Sequence, residues 1–165
     1  MPALLLAAAA IVSLGGASLG AAATPPADPE DKAVLAVAQA FFDGMAAASP
    51  EAMRATVLPN AQFMGVRTQA DGTIKVSRVA FEDSFGKHMD PGIKEWIWSP
   101  VIIRRGALAT ISAPYEVSKD GKTLHCGIDV FTLVKADGAK NDGAWKIASI
   151  SWTAEPNACP ELRKL

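Results

Sequence analysis

Residues 124–153, LHCGIDVFTLVKADGAKNDGAWKIASISWT, set two alternating runs on either side of a Gly- and Asp-rich turn. Successive side chains in a strand point to opposite faces, so this stretch asks for a hairpin with two distinct surfaces. One surface carries His125, Gly127, Asp129, Phe131 and Leu133, then Trp145, Ile147, Ser149, Ser151 and Thr153. It is apolar near the turn and polar at the far end. A solvated face would be polar throughout and a dry core apolar throughout. The mixture predicts a pocket wall.

Earlier turns extend this hairpin into a meander. Arg104-Arg105-Gly106-Ala107 joins run 95–103 to run 107–117, and Asp120-Gly121 is a strong two-residue hairpin tip. Its basic pair reads as a solvated turn. With Asp120-Gly121 as the loop, Lys119 faces Lys122, and counting back sets Glu116 opposite His125, Ser112 opposite Asp129 and Thr110 opposite Phe131. The earlier turn then sets Ser99 opposite Ser112 and Val101 opposite Thr110. Across the third turn, residues 137–143, Asp129 meets Ser149 and His125 meets Thr153. A one-residue slip anywhere would exchange the faces.

Helices precede the meander. Asp28 suits an N-cap, Pro29 the first helical position, and Glu30 and Asp31 the positive helix end. Val34, Val37, Ala38, Phe41, Phe42 and Met45 then form one apolar stripe. Ser49-Pro50-Glu51 restarts a short helix, with Met53, Val57 and Leu58 inward and a stop at Pro59. Runs 61–68 and 73–76 flank a turn at Ala70-Asp71-Gly72. Ser77 is read as the cap of a third helix carrying Val79, Phe81, Phe85 and Met89, with His88 near its negative end. The order is three helices with two short strands among them, then four long strands, which predicts α+β with an antiparallel sheet.

The chain has 165 residues and a formal charge of −1, from 16 basic and 17 acidic side chains. That fits one domain with a sizeable core. It argues against nucleic acid as partner, because phosphate neutralisation needs a basic field. Residues 1–23 hold no charged side chain and end in Ala21-Ala22-Ala23, as a secretory signal with an A-x-A cleavage site does. A membrane anchor is the alternative, and the Ala- and Gly-rich composition is weak for a span. The expected divisions are signal 1–23, leader 24–27, domain 28–154 and an irregular tail 155–165. The expected location is the periplasm or the exterior, with no membrane contact after cleavage. In that compartment Cys126 and Cys159 are expected to form a disulfide, since Cys159 can fold back to meet Cys126 near Trp152. Two Cys and two His without ligand spacing support no metal site, and no cofactor is implied.

Under this register Asp129 shares a row with Ser99, Ser112 and Ser149, and His125 one with Glu116 and Thr153. Phe131, Leu133, Trp145, Ile147, Val101, Ile103 and Leu108 fill the other end, with Thr110 and Ser151 among the lining residues. Helices covering the apolar end would leave the polar end as a cavity for a small apolar or aromatic ligand. The opposite face, with Trp96, Trp98, Ile102, Ile111, Tyr115, Val117, Ile128, Val130, Ile150 and Trp152, is also apolar. A homodimer through that outer face would cover it. The competing assignment inverts the faces and packs Trp96, Tyr115 and Ile128 on the helices.

The capped first helix, SPEAMRATVLPNAQF, LATISAPYEVSKDGKTLHCGIDVFTLVKADG and the closing WKIASISWT together resemble the nuclear transport factor 2-like superfamily, nearest its SnoaL-like and lumazine-binding-like exported bacterial members. The resemblance spans residues 28–153. It implies a cone-shaped α+β barrel: three N-terminal helices packed in a curved, mostly antiparallel six-stranded sheet around a pocket, often dimeric through the sheet. Members include isomerases, dehydratases, cyclases, hydrolases and proteins that only bind or assemble, so fold does not choose the function.

Three functions follow. The first is an exported small-molecule-binding protein. The second is a cofactor-independent proton-transfer enzyme of isomerase, dehydratase or cyclase type, with Asp129 as base and His125, positioned by Glu116, as relay. The third is a structural dimerisation module.

Overall fold

A computed structural model describes residues 28–69, 71–136 and 143–165. The expected signal and leader and most of the third turn lie outside them. The first helix, α1 (Pro29–Ala46), begins as the sequence dictates: Asp28 accepts a hydrogen bond from the Glu30 amide at 2.9 Å. Val34, Ala38, Phe41, Phe42 and Met45 are buried against the sheet. Ser49 caps α2 (Pro50–Arg54) in the same way. That helix ends sooner than its apolar spacing suggests. Val57 already belongs to β1 (Val57–Thr68), and Pro59 sits within that strand.

The third helix of the sequence reading does not form. Residues with β-branched side chains on either side of Ser77 pair with β1 as β2 (Ile74–Ala80), and only a 3-10 turn, Phe81–Asp83, follows. Run 95–103 is two strands: β3 (Ile93–Ile97) and β4 (Val101–Arg105). Pro100 cannot donate to a ladder, and Ser99 before it takes a left-handed φ of 45°, so the run breaks there. Both pieces pair with β5 (Leu108–Lys119), which continues to β6 (Lys122–Ala136) and β7 (Ala144–Ala154). The sheet therefore has seven strands, ordered β2-β1-β7-β6-β5-β3 with β4 beside β5. Among the described strands only β1 and β7 run parallel. The tail also folds: α3 (Cys159–Leu162) is pinned to β6 by the Cys126–Cys159 disulfide.

The core lies between α1 and the concave side of the sheet. Phe63 meets Phe41, Phe81 and Phe85 edge to face, and Phe42 meets Phe131 at 5.7 Å. Arg104 is not a solvated turn residue. Its guanidinium folds back to Asp28 and Asp31, tying the β4–β5 hairpin to the start of α1.

Two bulges decide which side chains face inward. The Asp120-Gly121 turn has positive φ at both positions and pairs Lys119 with Lys122, as expected. Past Thr123 the ladder slips by one at Leu124, so His125 pairs with Val117 and Cys126 with Glu116. A second slip, at Ala148, pairs Leu133 with Ile147 but Phe131 with Ile150 and Asp129 with Trp152. Each extra residue reverses side-chain parity beyond it. The concave face is thus Tyr115 and Val117 from β5, His125, Asp129 and Phe131 from β6, and Ile150 and Trp152 from β7. The β4–β5 turn differs by two residues from expectation, Val101 pairing with Ser112 and Ile103 with Thr110, which preserves the face.

Candidate functional site

A cavity of about 450 Å³ opens between that concave face, α1 and the segment after the 3-10 turn. Its apolar wall comes from Phe41 and Phe42 of α1, Phe63 of β1, Phe85, Phe131 and Trp152. Its polar wall is Glu95, Tyr115, His125 and Asp129, on β3, β5 and β6. Arg67, His88 and Asp90 also line it; His88 and Asp90 are joined at 2.9 Å by an exposed hydrogen bond rather than placed at a helix end.

Asp129 is only 2% exposed, and its Oδ2 has no hydrogen-bond partner among the described residues. Glu95 faces the same cavity from β3, close enough for the two carboxyls to share a hydrogen bond. Two carboxyls can do so only if they hold a proton between them. Burial raises the Glu95 pKa to about 7. Burial first, and then the neighbouring Glu95 charge, push Asp129 well above the usual carboxylate range. The pair therefore keeps a proton under conditions where surface carboxyls have lost theirs.

Beside it, the buried Tyr115 hydroxyl donates to the Thr153 carbonyl at 2.6 Å and lies 3.1 Å from His125 Nδ1. The phenol has one proton, and the carbonyl takes it. Nδ1 of His125 must then be the donor in the second bond, leaving Nε2 as an acceptor. Burial, helped by the Arg67 charge, lowers the His125 pKa, which favours this neutral ring. Burial and the nearby Asp129 and Glu95 charges push the Tyr115 phenol up, so it stays a donor. The close approach of Thr153 depends on Gly127, where a Cβ would stand 2.0 Å from the Thr153 carbonyl oxygen.

Of the residues singled out from sequence, Asp129, His125 and Phe131 line this cavity. Trp145 is buried in the core and donates to Glu30 at 3.1 Å instead. The parity reversal at Leu124 carries Thr110, Ser112 and Glu116 to the convex face, and with them Val101, Ile103 and Leu108, which the sequence pattern places on the pocket side, while Ile102 turns in to the core. On the convex face Glu116, 4% exposed, is held by Arg163 at 2.5 Å and Thr123 at 2.5 Å, and does not position His125. The reversal at Ala148 likewise sends Ser149 and Ser151 outward, where they border a shallow depression with Gln62 and Arg78. Ser99 is exposed and donates to the Leu165 carbonyl at 3.0 Å. Neither facing scheme is right as a whole. Asp129 looks inward as first read, but so do Tyr115 and Val117, while Ile128 looks outward. Glu95 was not legible as a site residue; only its alternation with Trp96 and Trp98 hinted that it takes the opposite face.

No family model matches the chain, and no curated protein matches it. Solved structures do. It is similar to an NTF2-like protein of unknown function from Shewanella baltica, with 22% identity, a TM-score of 0.54, and coverage of 78% of this chain and 95% of that one. It is also similar to yeast UBP3-associated protein BRE5, at 14% identity and TM-score 0.58 over 79% of this chain and 99% of that one. A third similar structure is the S. rosetta CaMKII hub, at 23% identity and TM-score 0.54 over 78% and 98%. At these identities the likeness speaks for fold alone.

Proposed function

We propose that this chain, nuclear transport factor 2-like in fold, is an exported protein that binds a small apolar or aromatic molecule in the concave cavity. The observation that carries the reading is Asp129: a buried carboxyl with one oxygen unsatisfied, set in a mostly aromatic wall. Leaving such an atom bare costs about 1–3 kcal/mol. A ligand donor reaching Oδ2 would recover that energy while the rings bury its body. The uncharged, apolar residues 1–23 and the disulfide support a periplasmic or secreted location. A thermal-shift screen of small aromatic and heterocyclic compounds tests the reading. At least one compound should raise the melting temperature in a saturable way, as a ligand at a hundred times its Kd adds about 2.7 kcal/mol. A broad screen without a single shift would defeat it.

The same carboxyl pair favours a second reading, cofactor-independent proton transfer. Once ionised, the Asp129–Glu95 pair would take a proton from the ligand through Asp129, and neutral His125, held by Tyr115 rather than Glu116, would relay or stabilise charge. Following the screen's ligands for chemical change separates this from binding alone: turnover should appear in the wild type and vanish in Asp129→Asn.

A homodimer through the convex face fits the exposed apolar patch there. Val101 is 61% and Ile103 70% exposed, with Leu108, Trp96 and Val130 on the same side. Sedimentation should give a dimer for the wild type and a monomer for Ile103→Lys, since a charge at a buried apolar contact is unpaired. A wild-type monomer at high concentration would remove the proposal.

A further inference from the structure

We infer that the cavity's ligand carries a positively charged nitrogen, an ammonium or amidinium on an aromatic body, seated between the carboxyls of Glu95 and Asp129. This rests on the ligand-binding reading and narrows it to a chemical class. The chain contains its own contrast. Glu116, the other carboxyl buried to this degree, has a guanidinium within 2.5 Å. Asp129, buried as deeply, faces a second carboxyl instead, and among the described residues no Lys, Arg or His side chain hydrogen-bonds either one. Buried charge persists where it is paired and otherwise takes up a proton, as this pair does, so a cation from outside can displace that proton and serve as the partner the fold does not supply.

The surroundings agree. Trp152 pairs with Asp129 across the ladder and faces the same cavity, and Phe131 lies two residues along β6 on that face. Aromatic faces attract a desolvated cation. A neutral ligand could satisfy Oδ2 with a single donor, but it would leave the pair reliant on its retained proton and gain nothing from the ionised form. An anionic ligand would meet that charge directly.

The groups facing the pair from each element are Tyr115 on β5, His125 on β6, Arg67 on β1, and His88 and Asp90 after the 3-10 turn. Tyr115 and His125 bond each other and are neutral together. Arg67 is exposed, and His88 is joined to Asp90. None supplies the counter-charge that the pair lacks.

Calorimetric titration of the full chain with benzamidine, benzyl alcohol and benzoate tests this. Benzamidine should bind at least about tenfold more tightly than benzyl alcohol, a difference of about 1.4 kcal/mol. Its affinity should rise from pH 5 to pH 8 as the pair gives up its proton, and benzoate should not bind. Asp129→Asn and, separately, Glu95→Gln should each abolish the preference, bringing the affinity for benzamidine down to that for benzyl alcohol or below it. Two variants are used so that one folding defect cannot mask the result. Equal or tighter binding of benzyl alcohol or benzoate overturns the inference and leaves the ligand-binding reading standing. Failure of benzamidine to bind overturns it as well, and the wider thermal-shift screen then decides the broader reading.

Discussion

Replacing both cysteines, Cys126→Ala with Cys159→Ala, is expected to lower the free energy of unfolding by about 4 kcal/mol. The bond joins residues 33 apart in sequence, and closing a loop of that length removes conformational freedom mainly from the unfolded chain. A native-state loss adds to this. Cys126 and Glu155 exchange backbone hydrogen bonds beside the disulfide, at 2.9 and 3.4 Å, and α3 beyond it carries Arg163 to Glu116. Untethered, α3 can leave, and Glu116 is then a buried carboxylate without its cation. Urea unfolding of the oxidised wild type, the reduced wild type and the double variant checks this. The last two should coincide at a clearly lower midpoint. An unchanged midpoint in the variant would mean that the tail is held by its side-chain contacts alone.

Local signals in the sequence are legible where one residue type has one use. Asp28 and Ser49 cap the helices they were expected to cap, and Asp120-Gly121 makes the tight turn. The disulfide also forms, although Cys126 lies opposite Glu116 and beside Glu155 rather than near Trp152. What misled the reading was parity. Leu124 and Ala148 each add one residue to a strand, and nothing local marks either: no Gly, no Pro, no break in hydrophobicity. Because β5 and β7 are apolar on one face and partly apolar on the other, pattern alone could not choose between them. The two slips also explain why Asp129 was placed correctly while its expected neighbours were not. The counting that set Ser112 and Ser149 beside it crossed a bulge each time. Glu95 was out of reach for a different reason. It meets Asp129 only because β3 and β6 flank β5, a contact set by topology across 34 positions of sequence and by no motif. The third helix failed through tertiary override: a serine cap and four spaced apolar residues lost to an available strand edge on β1.

Asp129→Asn is expected to stabilise the folded protein at alkaline pH, the reverse of the usual result for a buried polar residue. Folding raises the pKa of Asp129, through burial and the charge of Glu95. A carboxyl that binds its proton more tightly when folded favours the native state fully while both states are protonated, below about pH 4. That contribution is lost as pH climbs through the raised native value. Glu95, raised to about 7, loses its share over the same interval, from about pH 4.5 upward. The wild type should therefore weaken between pH 5 and pH 9, by an amount on the order of 1–3 kcal/mol. Asparagine has nearly the same shape, carries no charge at any pH, and can donate from its amide to Glu95. That donation favours the ionised form of Glu95, so its own penalty shrinks too. Other groups move oppositely: the lowered pKa values of Glu116 and His125 make stability fall as pH drops through the acid range. Those groups are common to both proteins and cancel in the difference. Unfolding free energies at pH 5, 7 and 9 should show the variant gaining on the wild type at each step. A variant weaker than the wild type by the same amount at all three would mean that Asp129 is ionised throughout, satisfied by contacts other than a shared proton, and the carboxyl pair would no longer account for the site.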